Sequence, residues 1–168
     1  MQQKSVPVLF LIAGLAVLLS AAAPTPPASA SGRVRDIDYS AKATQVIVDG
    51  GSASTEFVGL VTDERLQEVL ESAFVSQRSV DVRHSGMAIT GVTLTGAPTL
   101  CSAAGCVETL SCSASRCEAT ISGHTGTVTT TSVRALGILL TAVNNRSSVS
   151  ELATDAKGRI TRVKVNRS

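Results

Sequence analysis

Aromatic side chains are scarce in this chain of 168 residues, which has no tryptophan, one tyrosine and three phenylalanines. Proteins that bind single-stranded nucleic acids stack successive bases on aromatic side chains, and a sugar ring that stacks on protein needs a similar platform. Only Tyr39, Phe57 and Phe74 lie beyond the N-terminal segment. The sequence therefore favours neither a nucleic-acid partner nor a sugar-stacking site.

An excess of charge of one sign is also missing, since 15 Lys and Arg face 13 Asp and Glu. A near-neutral balance argues against a dominant electrostatic partner, such as nucleic acid or an anionic membrane surface. No H-E-x-x-H, G-x-S-x-G or P-loop motif is present. The sequence therefore predicts no cofactor and no metal site, and it makes an enzyme the less favoured interpretation.

Residues 1–30 are typical of a secretory signal peptide. Lys4 is the only charge before an apolar run through Leu19, and Ala28-Ser29-Ala30 matches the A-x-A cleavage pattern. An alternative position for the cleavage follows Ala22. A retained anchor is the rival interpretation, but a spanning helix needs about 20 apolar residues. We expect a secreted or periplasmic protein that begins at Ser31 and has no membrane contact after cleavage.

Four cysteines are clustered between positions 101 and 117. An even number of cysteines in an exported chain is typical of disulfides. The spacing favours pairing Cys101 with Cys106 and Cys112 with Cys117, and the second bridge would brace a hairpin by roughly 2 kcal/mol. Both spacings are longer than those of usual zinc sites, and a C-x-x-C motif for thiol exchange is absent. Structural disulfides are therefore the prediction.

Residues 62–94 resemble residues 131–165, with an offset of 69 positions. The order of the patterns carries this resemblance, together with identical pairs such as Thr62/Thr131, Arg65/Arg134, Leu70/Leu139, Ala73/Ala142 and Val80/Val149. After a two-residue insertion, Ile89-Thr90 aligns with Ile160-Thr161. Repeats of this length predict a duplicated supersecondary unit. We expect a signal peptide at 1–30, a first β-rich unit at 31–97 and a second at 98–168 with two disulfides.

Each unit carries the pattern β-β-β-α-β-β. Alternating β-favouring residues and turn signals predict strands at 33–39, 45–48, 56–61, 80–83 and 89–95, then at 107–111, 118–121, 127–131, 149–152 and 159–165. The fold class is β-rich α+β with two similar small units. A five-stranded barrel with a helix after the third strand is the order of an OB-type fold. The alternative is an open antiparallel sheet with one helix on a face.

The two helices differ in their apolar pattern. Thr62 is predicted to cap the first helix, whose apolar stripe contains Leu66, Val69, Leu70, Ala73 and Phe74. Ser132 is predicted to cap the second helix, which is apolar nearly all round and therefore expected to be buried. Leu140 aligns with polar Glu71, so we expect it to lie between the units or in a homodimer contact. Gly137 in the same helix suggests close packing.

The candidate site residues lie in loops. Asp49, His84, His124 and Arg116 occupy four different turns, and loops 49–54, 84–88 and 123–126 are the expected contact surfaces for an unknown protein or small ligand. The favoured function is that of an exported, non-enzymatic binding or interaction protein. One alternative is a small secreted enzyme that uses a histidine and a carboxylate. Another is a protease inhibitor that presents loop 112–117.

A small basic patch is also predicted on the last strand. Arg162 and Lys164 point to one side of it, and Arg159 and Arg167 flank them. Such charges usually form a solvated face or protect a sheet edge from pairing with another chain. The sequence alone therefore assigns no ligand to this patch.

Overall fold

The computed structural model describes residues 27–40, 42–51, 55–95 and 104–166, so residues 1–26 of the predicted signal peptide 1–30 lie outside the described residues. The chain is β-rich with two helices, and every predicted strand and helix is present. In chain order the elements are β1 (Ala28–Tyr39), β2 (Thr44–Asp49), β3 (Phe57–Val61), α1 (Glu64–Ser76), β4 (Ser79–Ser85), β5 (Ala88–Thr95), β6 (Val107–Ser113), β7 (Cys117–Ile121), β8 (Thr127–Thr130), α2 (Val133–Asn144), β9 (Val149–Thr154) and β10 (Ile160–Val165).

The first five strands form a closed barrel. β1 pairs with β2 on one side and with β4 on the other, and β5 continues the sheet beyond β4. A parallel pairing of Leu60 in β3 with Ala88 in β5 joins the two ends. The first unit is therefore a closed barrel and not an open sheet.

The second unit continues the same sheet. Residues 91–94 of β5 pair with β6, and β7 and β8 follow in order, while β9 and β10 form a separate two-stranded ladder. Two main-chain links connect these parts: a parallel bridge between Thr129 and Arg159, and a hydrogen bond of 2.8 Å from the Val149 nitrogen to the Gly105 oxygen. The two-stranded ladder is thus attached to the end of the large sheet at β8 and to the segment just before β6.

The core is formed by alternate residues of the strands and one face of each helix. In β2, Val46 and Val48 are buried while Gln45 is exposed, as expected for a strand with one face toward the interior. Buried side chains from both units belong to one continuous apolar cluster. Burying a leucine or valine stabilises the fold by roughly 1.5–3 kcal/mol, so this cluster is the main source of stability.

The N-terminus of α1 corrects one prediction. Asp63, and not Thr62, is the N-cap, because its side chain accepts hydrogen bonds from the backbone nitrogens of Arg65 and Leu66. Two such bonds satisfy donors that the first helical turn leaves open. In α2 the predicted cap is confirmed, since the Ser132 side chain accepts from the Ala135 nitrogen.

When the N-caps of α1 and α2 are aligned, the buried face of α2 is rotated by one residue relative to that of α1. The caps are 69 positions apart, whereas the buried residues of α1 and α2 are 70 apart: Leu66, Val69, Leu70, Ser72 and Ala73 against Leu136, Leu139, Leu140, Ala142 and Val143. One residue corresponds to about 100° around a helix. α2 packs against α1 and β10, so Leu140 is buried inside the single chain, as predicted, and no homodimer is needed to cover it.

Gly137 does not occupy a close contact. A Cβ atom added there would meet nothing within 4 Å, so the prediction that this glycine reflects tight packing was wrong. Close approach occurs instead at Gly105, where a Cβ would lie 2.4 Å from the Val149 oxygen and the backbone φ is +94°. That conformation is one that glycine adopts at little cost.

The hairpin formed by β6 and β7 carries the predicted disulfide. Cys112 and Cys117 lie directly opposite each other in the ladder, with a Cα–Cα distance of 4.1 Å, and are bonded through their sulfur atoms. Cys106 is also disulfide-bonded, while Cys101 lies outside the described residues. Among the described residues, no helix is long and apolar enough to cross a membrane.

Candidate binding site

A groove with a volume of about 570 Å³ lies between the first hairpin and the C-terminal end of α1. Pockets that bind small ligands usually measure about 300–1,000 Å³, so this groove is large enough to hold a ligand or several side chains of a partner. We call it the aromatic groove. It is lined by Arg33, Val34, Arg35, Asp49, Gly51, Phe74, Val75 and Gln77.

A β-bulge shapes the strand side of the aromatic groove. The register between β1 and β2 shifts between Val34 and Asp36, so that Arg35 has no partner in β2. An extra residue of this kind bends the strand and redirects side chains. The Arg35 guanidinium forms an ion pair of 2.8 Å with Glu56. Arg33 and Arg35 are two positions apart in β1, and both line the groove.

The helix side of the aromatic groove is unexpectedly apolar and exposed. Phe74 is 47% exposed and Val75 is 66% exposed, although both are large hydrophobic residues. The sequence predicts Phe74 as part of the apolar stripe of α1, but unlike Leu66, Val69, Leu70 and Ala73 it is not buried. It lies at the edge of the buried stripe in the last turn of α1, and α1 ends at Ser76 with Gln77 in a left-handed conformation.

The two charged residues Arg33 and Asp49 of the aromatic groove differ in whether the structure gives them a partner. Arg33 pairs directly opposite Asp49 in the ladder, but the Asp49 carboxylate accepts a hydrogen bond of 2.8 Å from the Gly51 nitrogen. Among the described residues Arg33 forms no ion pair. The groove thus offers an exposed guanidinium together with two exposed apolar side chains, which suits a ligand that carries both a carboxylate and an apolar group.

The four predicted site residues are distributed over different parts of the surface. Asp49 lines the aromatic groove. His84 lies at the end of β4, where its ring stacks on Phe57 with centroids 4.1 Å apart. Its Nδ1 atom lies 2.8 Å from the Gly86 oxygen. His124 is in the exposed turn between β7 and β8, where its backbone nitrogen donates to the Ile121 oxygen.

The histidines are not paired with carboxylates. In residues 55–95 and 104–166 neither His84 nor His124 forms an ion pair, and the described chain holds no group of three or more potential metal ligands. The hydrogen-bonding contacts of His84 and His124 described above are with backbone groups of their own turns. The two histidines therefore stabilise turns.

Arg116 lies in the loop that the Cys112–Cys117 disulfide closes. The loop is bonded internally, since the Ser113 nitrogen donates to the Arg116 oxygen at 2.9 Å, and Arg116 forms an ion pair with Glu118. Arg65 of α1 donates to the Ala114 oxygen at 2.5 Å and to the Thr131 oxygen at 3.3 Å. The loop is therefore tied to the first unit.

The sequence held one signal that points to the aromatic groove. Phe74 and Val75 are adjacent at the end of α1, and a helix cannot turn both toward one narrow core face because successive residues are about 100° apart. The position of Arg33 and Arg35 beside them depends on the packing of α1 against β1. That packing leaves no local pattern in the sequence.

Comparison of the chain with protein-family models, with curated proteins and with solved structures finds no match.

Proposed function

We propose that this chain is an exported, non-enzymatic binding protein whose first unit holds a segment of a partner protein in the aromatic groove. The observation that carries the proposal is the exposure of Phe74 and Val75 beside Arg33 and Arg35. Exposed apolar residues that are grouped in a groove mark interaction sites more often than scattered ones do. Aromatic and arginine side chains are also the residue types enriched at binding hot spots.

The proposed architecture is that of two duplicated OB-type units. The strand order β3-β2-β1-β4-β5 with a helix before β4 is that of such a barrel. The parallel contacts Leu60–Ala88 and Thr129–Arg159 occupy equivalent positions when the second unit is shifted by 69 residues and then by 71 after the insertion. This correspondence supports duplication independently of the sequence identities.

Export is proposed from the cysteines together with the N-terminal sequence. The disulfide between Cys112 and Cys117 is of a kind that persists in oxidising compartments. The apolar segment before Pro24 has the composition of a signal peptide. Both features support a secreted or periplasmic location.

The proposed occupant of the aromatic groove is an extended peptide segment with an apolar side chain next to an acidic one. The apolar side chain would bury the exposed area of Phe74 and Val75, which is favourable in proportion to the area removed from water. The acidic side chain would pair with Arg33, whose planar guanidinium can bind a carboxylate through two parallel hydrogen bonds. Arg35 is held by Glu56 and would contribute less.

Photocrosslinking in the compartment to which the protein is exported would identify this segment. A Val75→benzoylphenylalanine variant should form an adduct with one partner protein, whereas the same replacement of Thr141, an exposed residue of α2, should not. Mass spectrometry of the adduct gives the contacting peptide, which can then be synthesised.

Binding of the synthetic peptide tests the assigned residues. Phe74→Ser and Arg33→Gln should each weaken the peptide's affinity about tenfold, or about 1.4 kcal/mol. Tyr39→Ser is the matched control, because Tyr39 is 73% exposed but lies outside the groove, and it should change the affinity less than about twofold. Equal adducts from positions 75 and 141, or unchanged binding by Phe74→Ser, would refute the proposal.

A further inference from the structure

The two units carry opposite charge, although the whole chain is nearly neutral. Residues 31–97 contain six Lys and Arg against nine Asp and Glu, a formal charge of −3, whereas residues 98–168 contain eight against four, a formal charge of +4. Charge asymmetry between the halves of a chain indicates an electrostatic partner for one of them. The net value of the complete chain conceals this separation.

Five of the eight cations of the second unit line two adjoining clefts with volumes of about 510 and 260 Å³, which share Ser132, Ile160 and Thr161. We call these clefts together the basic groove. Its cations come from four elements that are distant in sequence: the β6–β7 loop, the first turn of α2, the β9–β10 turn and β10. They are Arg116, Arg134, Lys157, Arg159 and Arg162.

Carboxylates balance only part of this charge. Arg159 pairs with Asp155 at 2.6 Å, Arg162 pairs with Glu151 at 3.0 Å, and Arg116 pairs with Glu118. Within residues 104–166, Arg134 and Lys157 form no ion pair. Five cations thus face three carboxylates.

Hydrogen bonds to Asp155 stabilise the β9–β10 turn that contains Lys157. Asp155 accepts hydrogen bonds from the backbone nitrogens of Lys157, at 2.8 Å, and Arg159, at 3.0 Å. Hydrogen bonds from Arg159 hold the pKa of the Asp155 carboxyl below its usual value. The carboxylate therefore fixes the turn, and the side chain of Lys157 extends from it into the cleft.

The rest of the lining indicates the class of ligand. The described residues that line the two clefts include no aromatic side chain. Besides the cations they include hydroxyl-bearing residues, among them Thr129, Thr131, Ser132 and Thr161, and the aliphatic residues Ala135, Ile138, Ile160 and Val163. Single-stranded nucleic acids need stacking platforms, and insertion into a membrane surface needs exposed apolar side chains. Among the described residues, all the exposed large hydrophobic residues belong to the first unit: Tyr39, Leu60, Phe74, Val75 and Met87.

We propose that the basic groove of the second unit binds an anionic glycan, a polymer of sugars that carries sulfate, phosphate or carboxylate groups. Successive anionic groups pair with Arg134 and Lys157 and displace part of the three internal ion pairs. Sugar hydroxyls exchange hydrogen bonds with the threonine and serine side chains. This site is separate from the aromatic groove, so it stands or fails independently of the proposed peptide ligand.

The purified full chain tests this proposal against immobilised polymers of known charge. We expect it to bind dextran sulfate, a sulfate-bearing glycan, or polygalacturonate, a carboxylate-bearing one, and the preferred polymer distinguishes the two sources of anionic groups. Neutral dextran should not bind. Affinity should fall with added salt, because each charge contact releases counterions from the polymer.

A double variant, Arg134→Gln with Lys157→Gln, should weaken binding about five- to tenfold and flatten the dependence of affinity on salt. Lys42→Gln with Lys164→Gln removes the same charge outside the groove and should change affinity less than about twofold. Acetylation of the unmodified protein gives a second measurement that needs no variant. Bound polymer should protect Lys157 from acetylation, but neither Lys42 nor Lys164.

Equal losses in the two double variants would overturn the proposal, as would equal protection of the three lysines. Tighter binding to a thymine oligonucleotide or to anionic phospholipid vesicles than to either glycan would assign the groove to another class of partner.

Discussion

The guanidinium of Arg78 donates hydrogen bonds to two carbonyl oxygens of the second unit, Val107 at 3.1 Å and Glu108 at 2.6 Å. Arg78 precedes β4 and is only 7% exposed. Its burial lowers the pKa of the guanidinium below the usual value. A charged group of the first unit is therefore held in the interior by the backbone of β6, and this contact couples the two units.

Arg78→Lys should lower the free energy of unfolding by about 2 kcal/mol. An ammonium group does not reproduce the planar fork of a guanidinium, and each hydrogen bond to a charged group contributes about 1.5–3 kcal/mol. Urea unfolding measures the loss. Arg83→Lys, at an exposed position of β4, is the control and should change stability by less than about 0.5 kcal/mol. Similar values for both variants would show that Arg78 does not couple the units.

Leu70→Ala, Leu139→Ala and Leu140→Ala should each lower the free energy of unfolding by roughly 2–5 kcal/mol, as expected for buried leucines. Glu71→Ala and Thr141→Ala, at exposed positions, should stay within about 0.5 kcal/mol. Thermal or urea unfolding of the five variants checks that the buried face of α2 is rotated by one residue relative to that of α1. A small effect at Leu140 together with a large one at Thr141 would contradict it.

The order of elements could be predicted from the sequence, but the surfaces could not. Alternation in β2 and the apolar spacing in α1 are local signals, and they placed the strands and helices within a few residues. The site depends on contacts that are distant in sequence. Phe74 and Arg33 line one groove only because α1 packs against β1. The clefts that contain Lys157 and Arg134 adjoin only because β10 packs on α2. The residues that come together in each of these places are too far apart in the sequence for a local pattern to show it.

Gly137→Ala should raise the free energy of unfolding by about 0.5–1 kcal/mol. Alanine is preferred to glycine inside a helix by about this amount, and the added methyl group meets no atom within 4 Å. Gly105→Ala should destabilise instead, because its backbone is left-handed and the Val149 oxygen is close. Calorimetric melting of the two variants separates them. A loss of stability at Gly137 would indicate a contact that the structure lacks.

Glu68→Gln should stabilise the protein at pH 7 by roughly 0.5 kcal/mol, the scale of like-charge repulsion along a helix. Burial and the charges of Glu64 and Glu71 raise the pKa of the Glu68 carboxyl above 4.5. Since the folded state holds this proton more tightly than the unfolded chain, stability is lost as pH rises through the folded pKa. The gain in the free energy of unfolding from Glu68→Gln should therefore vanish below about pH 4. Urea unfolding of both proteins at several pH values measures this.

Cleavage after Ala30 should leave a less stable protein than cleavage after Ala22. Ala28, Ser29 and Ala30 pair with His84, Arg83 and Val82 in β4, and a chain that begins at Ser31 lacks these pairs. The difference should be about 1–2 kcal/mol, given the usual contribution of a backbone hydrogen bond. Intact mass spectrometry identifies the N-terminus, and unfolding of the two forms measures the difference. Equal stabilities would mean that these pairs contribute nothing.

The pairing of residues 91–94 of β5 with β6 has a consequence for how the chain folds as it is synthesised. The first barrel is complete at Thr95, before β6 has been made, and residues 91–94 then present unpaired backbone groups on the side that β6 later occupies. Such an edge is a template for any extended chain nearby. The second unit satisfies these groups as it arrives, so a chain truncated near residue 97 should self-associate even though its own five strands are intact.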